Sequence, residues 1–543
     1  MEAKNSYQLA LQYLTFQCFP YRHLEVLQEL LKVSSALGQS QTKHYRELLE
    51  KGTQQLEELL RKCRYETQKI ALEQKFAAFN QLLVDILVQV SSRKKHIEAL
   101  EIAEKRKNTC LGWLRQGWNY VAPSPNYQQM QRLLNHKTTA IYWHVSPAAI
   151  TTFILQYNKP LLAWTLRPTA HISQIAIPDQ VVHLPAIRQL EEFEEWMTIW
   201  QRDYKTIYKG EQRTQKEGTR EKWREQMAER LYQLGEILEI EKILAQIGNI
   251  DQLILIPHRD LHLLPLHYLF PEDFTITYLP SFQVGFDLQQ LRQSLQETVP
   301  KVPLLGVEQP KGKSALLFTL VESAVIAQLH SEPRPNRLVG SAATKEAVTS
   351  ALKAGAGVFH FTGHGYHDVD IPAKSFLELA NGEKLSLRDI FDLELPSYYL
   401  VCLSACETGV TGNQGLIDEF VGLASGFFSK QAIYVVSSLW RVDERSTALL
   451  MIRFHQLLKE KGMAPAQALK QAQRWLCNLT NAQLREWYLQ LAENLTNRSD
   501  RKIKSFLNRE AENLQEDSRI NPNECPYAEP YFWAGFTIAG KVL

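Results

Sequence analysis

The stretches GVFHFTGHG (residues 357–365) and YYLVCLSACETG (residues 398–409) share one construction. In each, an apolar run of strand length ends in small residues and delivers one reactive side chain, His364 in the first and Cys406 in the second. Unbroken apolar runs of this length read as strands buried on both faces, the mark of a mostly parallel sheet covered by helices. The neighbouring sequence repeats the alternation. VPLLGVE (302–308) and AIYVVSSLW (432–440) are further buried strands, and PYFWAGFTIAG (530–540) is a late strand that returns to the sheet. Between them, FTLVESAVIAQLH (318–330), TKEAVTSALKAG (344–355), DEFVGLASGFFS (418–429), DERSTALLMIRFHQLLKEKG (443–462) and APAQALKQAQRWL (464–476) carry helical periodicity. Thr344 is a good N-cap and Gly355 a helix stop. A charged insertion spans roughly 490–528.

Upstream the pattern changes twice. TTAIYWHVSP and AITTFILQYN (138–158) read as two strands, and NKP (158–160) turns the chain into a third, LLAWTLRP. A polar helical stretch over about 189–247 is broken by an exposed loop at 208–219, and DQLILIPHRDLHLLPLHYLF (251–270) supplies a buried strand and a turn. Before APSPN (122–126), the first clear linker, there is no strand signal. Leu24, Leu27, Leu30 and Leu31, then Leu56, Leu59 and Leu60, recur at helical spacing and predict four or five helices. ALEIAEKRK resembles the second helix of a tetratricopeptide repeat, but no register links it to the earlier helices. The division is therefore 1–122, a helical and repeat-like regulatory or interaction region; 123–290, a smaller α/β domain; and 291–543, a larger α/β domain.

Bulk properties narrow the function. A chain of 543 residues exceeds one core, and 45% hydrophobic with 22% charged residues is ordinary for a globular protein. A net charge of +2 gives no indication of direct nucleic-acid binding. Seven scattered cysteines make no disulfide framework and fit a reducing compartment. Neither a secretory leader nor an apolar run long enough to span a membrane is present, so a cytoplasmic protein without membrane attachment is expected.

In open α/β sheets, reactive groups collect beyond the carboxyl ends of strands, where His364 and Cys406 stand. A thiol needs a base or an electropositive neighbour to become a nucleophile, and an imidazole exchanges protons near neutral pH. Cys406 as nucleophile, His364 as proton donor to the leaving amine, and the backbone N–H groups of Gly365 and Cys406 as oxyanion donors make a complete amide-cleaving set. Three other readings compete: a metal site, an unreactive pair of buried strand ends, and an inactive relative that only binds. Against the metal, residues four apart in a strand lie about 13 Å from each other while zinc reaches about 2 Å. Neither His360 with His364 nor Cys402 with Cys406 shares one ion, and no metal or other cofactor is expected.

GVFHFTGHGYHD, LVCLSACETG and VVSSLWRVDERSTALLMIRFHQLL together resemble the CHAT family, caspase-like proteins usually attached to tetratricopeptide repeats. LILIPHRDLHLLPLHYL, ALKAGAGVFHFTGHG and PYFWAGFTIAG extend the resemblance over about 137–543. It implies a caspase-hemoglobinase fold and a cysteine endopeptidase of the caspase and separase group, with His364 and Cys406 as catalytic dyad and Gly365 with Cys406 as oxyanion donors. The 123–290 domain, which has no Gly-His-Gly or Ala-Cys motif, would be a non-catalytic caspase-like half. Caspases carry Gln before Ala-Cys where Ser404 stands here, so their preference for aspartate does not transfer. Ser404, Glu407 and Asp443 are candidates for substrate contact. Asp443 would floor a pocket for a basic side chain by resemblance to a separase stretch, or else cap the helix that follows it. Asp418 and Glu419 are expected at the N-terminus of the helix after the nucleophile loop, His258, Arg259 and His262 in a turn-stabilising role, and Trp113, Trp118, Trp143 and Trp164 as core anchors. The implied substrate is a protein, the setting bacterial defence or signalling, and the helical region a receiver for an activating or inhibitory protein partner. A non-enzymatic adaptor is the alternative, and an acyltransferase or peptide ligase with the same dyad a third reading.

Overall fold

The computed structural model describes residues 2–37, 39, 42–63, 66–116, 123–165, 185–209, 223–294, 303–308, 317–368, 374–408, 422–495 and 500–541. Among them, six helices fall within the 1–122 region instead of the four or five expected: Glu2–Tyr13, Pro20–Ala36, Lys43–Lys62, Glu66–Lys75, Ala78–Gln89 and Arg93–Gln116. The breaks between them are short and carry little Gly or Pro, which left them silent to turn rules. Leu24, Leu27 and Leu31 meet Leu49, Leu56, Phe76 and Phe79 in a helical core of their own.

Fourteen strands follow among the described residues: β1 (Thr138–Val145), β2 (Ile150–Gln156), β3 (Leu162–Thr165), β4 (Gln252–Ile256), β5 (Thr275–Tyr278), β6 (Leu304–Glu308), β7 (Asn336–Val339), β8 (Val358–Thr362), β9 (Gly365–Tyr366), β10 (Phe376–Glu378), β11 (Lys384–Ser386), β12 (Leu400–Ser404), β13 (Tyr434–Ser438) and β14 (Phe536–Gly540). Eleven join one sheet in the order β3-β2-β1-β4-β5-β14-β13-β12-β8-β6-β7, and β11-β10-β9 form a small second sheet. The pairs β1–β4, β4–β5 and β5–β14 are parallel, as are β13–β12, β12–β8, β8–β6 and β6–β7. The β13–β14 pair is antiparallel. The sheet thus contains two parallel blocks of opposite sense, and the C-terminal strand is the seam between them. This is a mostly parallel sheet flanked by helices, and its two halves run together without a gap in the hydrogen-bond ladder.

One face of the sheet is a continuous core. Phe359, Phe361, Val401, Leu403 and Val435 from one block share it with Ala140, Tyr142, Ile254 and Ile256 from the other, under Leu100, Phe282, Leu352, Leu387 and Phe427 of the covering helices. The opposite face holds two cores. Val358, Leu400, Cys402, Tyr434 and Val436 pack under the helices Leu317–Leu329 and Glu444–Glu460, and Ile141, Trp143, Leu253 and Leu255 under Phe193, Trp196 and Trp200 of Pro185–Lys209. Much of the charged stretch near 490–528 is helical, in Asn481–Asn494 and Arg501–Glu516, whose Trp487, Tyr488, Leu491, Phe506 and Leu507 join the core under Leu317–Leu329. No helix of the described residues is long and apolar enough to cross a membrane.

The N-terminal helices are hooked to the sheet by buried polar groups. Ala78–Gln89 is buried on nearly every side because it serves two cores, Phe79, Leu82 and Ile86 facing the helices and Val84, Leu87 and Val88 the sheet. Its Asp85 carboxylate accepts hydrogen bonds from Ser146 Oγ and, at 3.1 Å, from Thr151 Oγ1. On the next helix, Lys107 Nζ donates to the Pro257 carbonyl at 2.8 Å, and Glu104 accepts from the Gln283 N–H at 3.0 Å. Burial lifts the Asp85 carboxyl from its ordinary 3.8 to about 7 against the pull of the two hydroxyls. A pKa raised on folding stabilises the protein at acid pH, and that contribution is lost as pH climbs from about 4 to about 7. Asp85→Asn is therefore expected to overtake the wild type in urea resistance by about 2 kcal/mol between pH 5 and pH 8, measured by paired unfolding curves at each pH.

Candidate active site at the ends of two neighbouring strands

β8 and β12 are adjacent and in register, with Thr362 opposite Ser404 at their carboxyl ends. His364 and Cys406 each come two residues after that last pair, so equal lengths of chain carry them past the same edge of the sheet. Both are half-buried. The Gly363 N–H donates to the Ser404 carbonyl at 3.3 Å, which extends the ladder one step beyond the strands. Gly365 explains why the His loop needs a small residue. A Cβ built there would meet the Cys406 carbonyl oxygen at 2.6 Å and the Ala405 Cβ at 3.3 Å. The two loops are in contact, and any side chain at Gly365 would push them apart.

Gly365 opens β9, opposite Leu377 of β10, and the Glu378 N–H donates to the His364 carbonyl at 2.9 Å. Antiparallel alternation makes 364 and 378 the hydrogen-bonded pair and directs the N–H of residue 365 away from β10. Cys406 starts the turn after β12, and the Val442 backbone N–H reaches its sulfur. Thr408 closes this turn. Its hydroxyl lies 3.1 Å from the Leu403 carbonyl and 3.2 Å from that of Ala405, and accepts from the Ser438 N–H at 3.1 Å. Ser438 Oγ in turn donates to the Ala405 carbonyl at 2.6 Å.

Glu407, directly after the thiol, adopts a left-handed backbone with φ of 56°, which costs a non-glycine residue about 1 kcal/mol or more. Three contacts hold it there. Its N–H donates to the Trp440 carbonyl at 3.3 Å, Tyr204 Oη donates to its carboxylate at 2.7 Å, and Arg441 Nε lies 3.9 Å away. Tyr204 Oη also accepts from the Arg441 N–H at 3.0 Å. Tyr204 belongs to Pro185–Lys209, which packs on the β1 and β4 half of the sheet. Its ring packs on Trp223, which touches Trp200, Trp440 and Tyr531. The half that carries Tyr204 therefore buttresses the turn after Cys406 in the other half.

The remaining predicted positions divide. Ser404 is the buried last residue of β12, and its hydroxyl has no hydrogen-bond partner among the described residues. Asp443 caps Glu444–Glu460, accepting from the Ser446 N–H at 2.9 Å. His258 Nδ1 accepts from the Val145 N–H at 2.9 Å and joins two strand ends, a turn-stabilising role. Trp143 is a core residue, and Trp164 donates to Glu239 at 2.8 Å. Asp418, Glu419, Trp118 and the side chain of Trp113 lie outside the described residues. Sequence reasoning missed Tyr204 and Arg441. Arg441 stands in the SLWRV stretch beside the predicted Asp443, but Tyr204 sits in a polar helix with no local signal. It also missed that the strand register puts His360 beside Cys402, where both meet His455.

A family model, the CHAT domain, matches residues 225–541. The chain belongs to the CHAT family. No curated protein matches it in sequence. Among solved structures, Saccharomyces cerevisiae separase, crystallised with securin, is similar with a TM-score of 0.51 at 10% identity, covering 96% of this chain and 40% of that one. The arginine-specific cysteine proteinase gingipain R of Porphyromonas gingivalis gives a TM-score of 0.31 at 11% identity, covering 45% of this chain and 62% of that one. This CHAT chain thus has the caspase-like cysteine-peptidase fold and spans 40% of the separase length.

Burial holds the Cys406 thiol above its ordinary range; the Val442 N–H and Arg441 oppose this, and Glu407 reinforces it. Alkylation of Cys406 in the isolated chain should therefore be slow at pH 7 and still rising above pH 9. Glu407→Gln should shift that pH–rate profile to lower pH and Arg441→Gln to higher pH, read by mass spectrometry of the labelled peptide.

Proposed function

We propose that this CHAT protein is a cysteine endopeptidase with His364 and Cys406 as its dyad. The observation that carries the reading is the level pairing of β8 with β12, together with the contact of Gly365 on the Cys406 carbonyl. That arrangement supports one cleft served by both loops. In the mechanism, the Cys406 sulfur attacks the scissile carbonyl as its proton passes to His364. The N–H groups of Gly365 and Cys406 stabilise the oxyanion, with such donors worth about 3 kcal/mol each. Collapse breaks the C–N bond, His364 protonates the leaving amine, and a thioester remains for water to hydrolyse. No metal or organic cofactor enters these steps. Tyr204 and Arg441 act as positioning residues, because they hold Glu407 and with it the backbone that follows the thiol.

The isolated chain is a resting state on this reading. A thiol raised by burial and by a neighbouring carboxylate is a poor nucleophile at neutral pH. A conformational step that separates Glu407 from the sulfur, or admits the imidazole, would activate it. The natural trigger is a protein partner or complex received by the N-terminal helices, in a bacterial defence or signalling setting and a reducing cytoplasm. The solved separase was crystallised with a protein, securin, which fits the idea of a regulatory protein partner here. Glu407 directly follows the thiol and Asp443 caps the helix after SLWRV, and a basic residue before the scissile bond is the expected preference.

Proteome-wide cleavage mapping with the partners present tests the proposal. Wild type should generate new N-termini that Cys406→Ala does not, and His364→Ala should lower the rate by about 10²–10⁴-fold. Identical termini from wild type and Cys406→Ala, with equal peptide-probe labelling of all exposed cysteines, would leave the adaptor reading in its place.

A further inference from the structure

Behind the two dyad strands, on the face of the sheet covered by Leu317–Leu329 and Glu444–Glu460, lies a second group of reactive side chains that the cleavage chemistry does not use. His360 and Cys402 are cross-strand neighbours on β8 and β12, and His455 descends onto them from Glu444–Glu460. All three are buried, at 2%, 0% and 0% exposure, and one donor atom of each lies within 4.8 Å of the other two. The group comes from three separate elements, which is why strand spacing alone did not reveal it.

We propose that His360 Nδ1, His455 Nε2 and Cys402 Sγ hold a single zinc ion. Bonds of about 2.0–2.1 Å to nitrogen and 2.3 Å to sulfur separate the donors of a tetrahedral zinc by about 3.3–3.6 Å. The His360 Nδ1 to His455 Nε2 distance is 3.3 Å, a separation shared by a hydrogen bond and by two ligands on one ion, and Cys402 Sγ, within 4.8 Å of both, would draw in on binding. The outer nitrogens are already held. His360 Nε2 lies 2.8 Å from Glu322 Oε1, and His455 Nδ1 lies 3.0 Å from His330 Nε2. A ligating imidazole normally has its far nitrogen fixed in this way, and a carboxylate behind it strengthens the donor. The charges also balance, since Zn²⁺, the Cys402 thiolate and the Glu322 carboxylate sum to zero in a core where an unpaired charge is costly. Loading releases the thiol proton to solvent, and it takes place during folding because the site is enclosed. One coordination position is left for a small ligand such as water.

A hydrogen-bonded row from Glu322 through His360 and His455 to His330 is the competing arrangement, and it gives the thiol no role. The zinc would pin the helix Glu444–Glu460 to the two strands that deliver His364 and Cys406. Its seat is four residues upstream of both, about 13 Å along each strand, so it takes no part in bond cleavage. The inference stands apart from the peptidase reading.

The test is metal analysis of the full chain expressed in zinc-supplemented medium, followed by cobalt substitution. Wild type should carry close to one zinc per chain, and Cys402→Val less than about a tenth of that, because the thiolate supplies a third of the protein ligands. Valine suits a buried strand, so this variant folds whether or not a metal is bound. The cobalt form of the wild type should show the intense near-ultraviolet thiolate-to-cobalt band and lack it in Cys402→Val. His455→Gln should lose both signals. Wild type free of zinc after supplementation, or equal zinc in wild type and Cys402→Val, would overturn the proposal.

Discussion

The in-register parallel pairing of β8 with β12 is the constraint on which the rest of this molecule depends. Parallel neighbours must be joined by a crossover, and a crossover returns the chain to the same edge of the sheet. Two strands that end level therefore present their following loops side by side. The residues after each end are small, and the contact of residue 365 with the Cys406 carbonyl shows how little room the pairing leaves. A slip of one residue in β12 would turn Val401 and Leu403 out of one core and Cys402 out of the other. The cores on both faces thus enforce the register that the reactive loops require.

The same sheet ties the two halves of the chain together. β14 is formed by almost the last residues of the described chain, yet it lies at the centre, antiparallel to β13 and parallel to β5. Because the two blocks run in opposite senses, the β1–β5 half does not set a second pair of loops beside His364 and Cys406; it supports them from the side. The Tyr204 hydroxyl reaches across to Glu407 and the Arg441 N–H, and its ring is anchored in a cluster of tryptophans. The left-handed backbone after the thiol is held by these contacts from another half of the molecule, so the geometry of the Cys406 turn is a property of the whole sheet.

Polar groups enclosed by the cores mark the joints. Asp85, Glu104 and Lys107 connect the helical region to the sheet, and Glu322, His360, His455 and His330 connect covering helices to β8. A buried polar group left without a partner costs about 1–3 kcal/mol, so each joint specifies one arrangement of the elements it links. Apolar packing alone would tolerate a shift that these pairs do not.

The sequence by itself determined the buried strands, because a run such as VFHFT or LVCLS has no exposed face to satisfy and only a covered sheet accommodates it. It also determined the hairpin of β2 and β3, the cap of Thr344 on Ala347, and the cap of Asp443 on Ser446, all set by neighbours a few residues away. The placing of His364 and Cys406 just past the ends of β8 and β12 was legible for the same reason, since each follows a local pattern. Only the tertiary structure decided that β14 sits between β13 and β5, that the short strands β5, β7 and β9–β11 exist, and that Tyr204 serves Glu407. It alone brought His455 to His360 and Cys402. Those pairings join residues far apart in the chain, and no local periodicity encodes them. They follow from which apolar faces remain to be covered once the sheet has formed.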